Sequence, residues 1–242
     1  MKNINDLVVI VEARKDSVRV KNKMLRPFVN SCLFEIAVQK ILTSKVISKD
    51  NFYVSVMDPE FIEIANKYGV NIYNRSPESC VEPIELQAVK EWHQKLGNQF
   101  KYWITVNACN PILSINTIDN FIKSFLKSDS DGMFGVFEKK TFLFDSSHKM
   151  LNKFYGEEKY LKTLETKFVE TTYEAAHSLY AGKISDISKG IYMGSFQKQG
   201  DPEFFIMDEI EAFDIDWPWQ FDMAEVIYQQ EFPSLKQWII KE

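Results

Sequence analysis

The chain has 242 residues, 45% hydrophobic and 26% charged, which is ordinary for a globular protein and enough to bury one substantial core. Its 29 basic and 34 acidic side chains leave a net charge of -5, which argues against nonspecific binding to nucleic acid. Any polyanion would have to be met by cations concentrated locally. Cys32, Cys80 and Cys109 are too scattered for a metal cage or a disulfide framework, so a reducing compartment is expected. No apolar run approaches the length of a membrane span and the first residues show no leader pattern, so a cytoplasmic protein is expected.

Residues 7–13 (LVVIVEA) form a continuous apolar run dominated by Val and Ile, the pattern of a strand covered on both faces. A polar, basic segment follows. Residues 33–43 (LFEIAVQKILT) repeat apolar side chains at helical spacing. Residues 52–57 predict a second strand, and 59–68 a helix that stops at Gly69. A short third strand is expected over 70–73, then a helix over 83–96 with Pro83 in its first turn. Residues 102–106 read as another buried strand, 115–126 as an amphipathic helix and 132–138 as a strand. From about 139 to 199 the alternation fades into a stretch rich in Lys, Phe, Tyr and Thr, expected to be an inserted β-rich lobe or a dimerisation segment. Strand character returns over 204–216, and a helix over 218–230 closes the pattern. Strands alternating with helices imply right-handed crossovers, so the expected fold class is α/β, a Rossmann-like three-layer arrangement around a mainly parallel sheet.

Residues 13–23 hold five cations, Arg14, Lys15, Arg19, Lys21 and Lys23, in a chain that is acidic overall. They follow the first strand, and open α/β sheets bind ligands beyond the carboxyl ends of their strands. As a charge run alone, the segment is either a solvated surface or a polyphosphate site. Its place after the strand, with the small hydroxyl of Ser17 among the cations, favours polyphosphate, which needs several cationic donors converging on adjacent oxygens. Neither GxxxxGK[ST] nor GxGxxG occurs, which excludes a P-loop and a dinucleotide fingerprint.

Near the C-terminus stand Asp214 and Asp216, two residues apart. On a strand both would project from one face. Two adjacent carboxylates repel unless a cation lies beside them, and Mg²⁺ favours few carboxylates plus phosphate oxygens. The alternative is an exposed acidic strand end, with Asp216 capping the helix that begins near Pro218.

Taken together, Ala13, Arg14, Ser17, Arg19, Lys23 and Leu25 resemble the pattern A-R-x-G-S-x-R-x-x-x-K-x-L of the cytidylyltransferases that make CMP-sialic acid and CMP-KDO. Asp16 stands at the glycine, and Glu12 where proline often precedes the Ala-Arg pair. Asp214, Ile215, Asp216, Ala224 and Glu225 are similar to that family's late acidic run. Arg75 to Glu78 resembles its R-P-x-E segment and 106–111 its L-Q-P-T-S-P stretch, with Asn107 in place of glutamine. The resemblance spans nearly the whole chain. It implies one domain over 1–242 with a nucleotidyltransferase fold, and transfer of CMP from CTP to a sugar acid with release of pyrophosphate.

By the same resemblance, Ala13, Arg14, Ser17, Arg19, Lys23, Arg75 and Asn107 would bind the nucleotide. Arg14, Lys23 and Asp216 would act in catalysis, and Asp214 with Asp216 would hold Mg²⁺. Lys167 and His177 are the candidates for contact with a small acidic sugar acceptor. A homodimer and a place in cell-surface glycan synthesis are implied as well. Another nucleotide, a phosphorylated acceptor, or a nucleotide-binding homologue with impaired catalysis are the competing expectations.

Overall fold

The computed structural model describes residues 1–80 and 85–229. Strand β1 (Leu7–Glu12) is buried through Val11, and its side chains alternate between two cores. Leu7, Val9 and Val11 join the larger one; Val8 and Ile10 face Trp92, Leu96, Trp103, Ile184 and Ile187 on the other side. A small hairpin, β2 (Pro27–Phe28) and β3 (Ser31–Cys32), leads into helix α1 (Leu33–Leu42). Next come β4 (Phe52–Val56) and α2 (Pro59–Tyr68). Pro59 opens α2, and Gly69 ends it in the left-handed region at φ 60°, a conformation that glycine adopts without a Cβ penalty. Strand β5 (Asn71–Asn74) follows.

Residues 83–96 were expected to form one helix. Pro83 lies outside the described residues, and the rest is two short helices, α3 (Leu86–Val89) and α4 (Trp92–Leu96). Tertiary contacts override the periodicity at the break: Lys90 pairs with Glu12, while Glu91 accepts from the backbone N–H and hydroxyl of Ser76. Strand β6 (Tyr102–Val106) and helix α5 (Ile115–Lys127) match the pattern, and the Ser114 hydroxyl caps α5 by accepting from Thr117 N–H at 3.1 Å. Strand β7 (Met133–Lys139) follows.

The region expected to be an insertion divides in two. Residues 140–171 form an irregular lobe carrying the short helix α6 (Glu158–Lys162). Strand β8 (Thr172–Lys183) instead enters the main sheet and is succeeded by α7 (Ile184–Ile187). Its Ala, Ser and Gly have weak strand preference, so only pairing with two neighbours reveals it. Strand β9 (Glu203–Ile206) is also shorter than expected; residues 207–216 leave the sheet before α8 (Pro218–Gln229).

The seven-stranded sheet runs β5-β4-β1-β6-β8-β7-β9. Pairs β1·β4, β1·β6, β4·β5 and β7·β9 are parallel, whereas β8 runs antiparallel to β6 and β7. The sheet is thus mainly parallel, in an α/β fold, as expected. The β7·β8 register shifts between Phe134–Tyr180 and Val136–Ala175, a bulge that carries His177 at φ 51°. Among the described residues no helix is long and apolar enough to cross a membrane.

Candidate active site

The basic loop is anchored where it leaves β1. Val20 and Met24 are buried, and Met24 O accepts from Phe34 N–H at the start of α1. Beyond the loop, Phe28 packs edge-on against Phe221 of α8 at 5.4 Å, and Val29 N–H donates to the Glu225 carboxylate at 2.8 Å. These contacts bring the loop against residues 214–216, nearly two hundred positions away in sequence. A cavity of about 690 Å³ opens between them at the carboxyl ends of β1 and β6.

Ala13, Arg14, Ser17, Arg19 and Lys23 line this cavity from the loop, Asp214 and Asp216 from the segment that precedes α8, and Arg75 and Asn107 from the strand ends. All of the residues expected to bind nucleotide or metal are therefore grouped together. Asp16 is exposed and is not among the lining residues, so its carboxylate does not oppose the cations there. Lys15 turns outward onto Glu60, and its backbone N–H donates to Asp58.

Asp214 and Asp216 do not lie on a strand, contrary to the expectation. Their segment has no strand pairing; between them Ile215 is fully buried and donates its N–H to Cys109 O at 3.1 Å. Core burial of Ile215 thus turns both carboxylates to the cavity. Arg19 meets Asp216 at 2.6 Å and lies over the Trp217 ring at 5.7 Å. Lys23 donates to Ile215 O and stands 3.8 Å from Asp216. Burial raises the pKa of Asp214 above the ordinary carboxylate range, with Asp216 adding to the rise and Lys23 opposing it. One Asp214 oxygen, Oδ1, is buried without a hydrogen-bond partner. A desolvated carboxylate oxygen in this position is suited to a cation. Among the described residues no group of three or more His, Cys, Asp or Glu side chains forms a cage. Two carboxylates completed by phosphate oxygens and water remain a donor set that fits Mg²⁺.

Arg75 is buried and committed to the fold. Its guanidinium donates to the Ser79 hydroxyl and carbonyl, with a long 3.5 Å contact to Ala13 O. Asn107 is similarly engaged: its amide donates to His177 O at 2.8 Å, and its oxygen accepts from Cys109 N–H at 3.0 Å. His177 is exposed on the β8 bulge, with Nδ1 2.8 Å from the Tyr180 hydroxyl, and is not among the residues that line the cavity. Lys167 is not brought to the site. It lies in the 140–171 lobe, paired with Glu165 and stacked over Phe168 at 5.0 Å.

Two lining groups escaped the sequence reading. Cys109 is buried beside Lys23 and Asp214, and burial pushes its thiol pKa up to about 11, so it is an inert wall. Glu12 ends an otherwise apolar strand and pairs with the buried Lys90. The charge at the end of an apolar run was visible; its partner, 78 residues later, was not.

A model of the cytidylyltransferase family matches residues 8–236, and the chain belongs to that family. Over 136 residues it is 26% identical to the spore coat polysaccharide biosynthesis protein SpsF of Bacillus subtilis, covering 53% of this chain and 53% of SpsF. Over 134 residues it is 25% identical to an uncharacterized protein of Methanocaldococcus jannaschii, covering 52% of this chain and 49% of that protein. The chain thus spans about half the length of the curated relatives it matches. The solved structure of a CMP:2-keto-3-deoxy-manno-octonic acid synthetase complexed with CTP superposes with a TM-score of 0.65 at 11% identity, over 93% of this chain and 99% of that one.

Proposed function

We propose that this protein transfers a cytidylyl group from CTP to a hydroxyl of a sugar acid, of the nonulosonic or ulosonic kind, and releases pyrophosphate. The observation that carries the reading is the meeting of Arg14, Ser17, Arg19 and Lys23 with Asp214 and Asp216 around one cavity at the strand ends. The acceptor oxygen attacks the α-phosphorus, the bond to the bridging oxygen breaks, pyrophosphate departs, and the hydroxyl proton passes to solvent. Arg14 and Lys23 neutralise the triphosphate and the charge that grows on the leaving group, while Ser17 and Arg19 orient it. Asp214 and Asp216 would hold Mg²⁺, which when bound supplies charge neutralisation at the α-phosphate and lowers the pKa of the attacking hydroxyl. His177, exposed on the β8 bulge beside Asn107, would be the contact for the acceptor.

Because Lys167 lies elsewhere, the acceptor carboxylate has no partner from that residue, which favours as a second reading a different acidic or phosphorylated acceptor. A homodimer through the lobe and the β9 edge is supported by the exposed Phe144, Leu151, Tyr155, Phe204 and Ile206, and glycan synthesis by the similarity to SpsF, a spore coat polysaccharide biosynthesis protein.

The test is a thermal-shift comparison of CTP, UTP, GTP and ATP, each with Mg²⁺, followed by pyrophosphate release over a panel of sugar acids. CTP should stabilise most, since a ligand that binds only the folded state raises its stability with affinity. Equal shifts from all four would remove the cytidine assignment.

A further inference from the structure

The cavity has two flanks, set by the strand order. Asp214 and Asp216 stand on the β6–β8 flank, near Cys109 and the bulge at His177. Glu12, Arg75 and Val89 stand on the β1–β4–β5 flank, and the basic loop bridges the two. Phosphates belong with the cations and the acidic pair, which leaves the β1–β4–β5 flank for the nucleoside.

Glu12 is the last residue of β1, and its alternation sends it away from Val11 and Ala13, toward the core that holds Trp92 and Trp103. There one carboxylate oxygen, Oε2, takes the Lys90 ammonium and the other, Oε1, accepts from Trp92 Nε1 at 2.9 Å. Both donors are immobilised. Trp92 is 0% and Lys90 5% exposed, and the Lys90 ammonium sits over Tyr192 at 4.9 Å and Trp103 at 5.7 Å. The carboxylate is therefore held rigidly, yet 14% of the Glu12 side chain stays open and the residue lines the cavity. Each carboxylate oxygen accepts two hydrogen bonds, so acceptor capacity remains after Lys90 and Trp92 are served.

A buried ion pair is a poor device for stability alone, because apolar residues of similar volume hold a core as well or better. What a fixed carboxylate adds is recognition: it accepts and never donates. Cytosine carries an exocyclic amine, a donor, where uracil carries a carbonyl oxygen, an acceptor. The carboxylate attracts the first and repels the second.

We propose that Glu12, clamped by Lys90 and Trp92, is a specificity-determining residue that selects CTP over UTP by accepting a hydrogen bond from the cytosine amine. The proposal rests on the cytidylyl-transfer reading and adds base selection to it. Losing a hydrogen bond to a charged group while relieving repulsion of uracil should shift the CTP:UTP affinity ratio by about tenfold or more.

Isothermal titration of the full chain with CTP, UTP and pyrophosphate, each with Mg²⁺, tests it in the wild type, Glu12→Gln and the double variant Glu12→Gln/Lys90→Met. The single variant strands the Lys90 charge, so the double variant, which removes both charges, guards against a loss that is only a folding defect. The expected result is a CTP preference in the wild type that falls about tenfold in the folded double variant, with pyrophosphate affinity unchanged. A triphosphate of the cytosine analogue without the amine should bind the wild type more weakly than CTP, at an affinity between those of CTP and UTP. A retained CTP:UTP ratio in the double variant, parallel loss of pyrophosphate binding, or wild-type binding of the amine-free analogue as tight as CTP each overturns the proposal. A wild type that binds CTP and UTP equally removes the cytidylyl reading itself, and this proposal with it.

Discussion

Replacing Asp216 by asparagine should change nucleotide binding in opposite directions with and without metal. Asp216 holds Arg19 at 2.6 Å and stands 3.8 Å from Lys23, so two cations that would meet a triphosphate are partly occupied by a carboxylate. The side chains of Arg19 and Asp216 are 52% and 34% exposed, and solvent screens the pair. Pairs of this kind contribute about 0–1 kcal/mol. Freed of that competition, the cations should bind CTP in EDTA up to about fivefold more tightly, since about 1.4 kcal/mol corresponds to tenfold. With Mg²⁺ present the sign reverses, because half of the carboxylate pair is gone; CTP affinity falls, and turnover drops about a hundredfold or more. Titration calorimetry in EDTA and in MgCl₂ reads both effects. Weaker metal-free binding in Asp216→Asn, or an unaltered response to Mg²⁺, would refute the reasoning.

Phe121→Ala should cost about 3–5 kcal/mol in urea unfolding, because Phe121 is fully buried in the main core and meets Phe205 of β9 edge-on at 5.3 Å. Glu35 should shape the acid limb of the stability curve. Hydrogen bonds from Lys67, Ser31 and Tyr68 hold its pKa down to about 2, against an ordinary 4.5. A depressed folded-state pKa contributes stability above the unfolded value, so that contribution is lost as pH falls from 4.5 toward 2. Glu35→Gln should flatten the unfolding midpoint across that window, and an unchanged slope would show that the three donors do not act on it.

Much of the sheet and the loop was legible because the signals are local. The apolar run at 7–11 marks a strand covered on both faces, α1 and α5 repeat at helical spacing, and Gly69 stops α2 by backbone conformation alone. The cations of 13–23 fall beyond the first strand by chain order, and the spacing of Asp214 and Asp216 is written in the sequence. Lys167 was not legible in this way: its contacts with Glu165 and Phe168 are local, but where the lobe stands relative to the cavity is not written in neighbouring residues.

The sequence by itself determined which segments prefer strand or helix and where positive charge collects, because dihedral preference, side-chain period and charge reside in neighbouring residues. Only the tertiary structure decided that β8 lies antiparallel between β6 and β7, that residues 86–96 break into two helices, and that Lys90 seats beneath Glu12. It also decided why Asp214 and Asp216 face one cavity without a strand to align them: Ile215 is buried between them and tied to Cys109. Strand order, ion pairs across 78 positions and burial of a single isoleucine are set by which surfaces exclude water together, and that is a property of the packed chain.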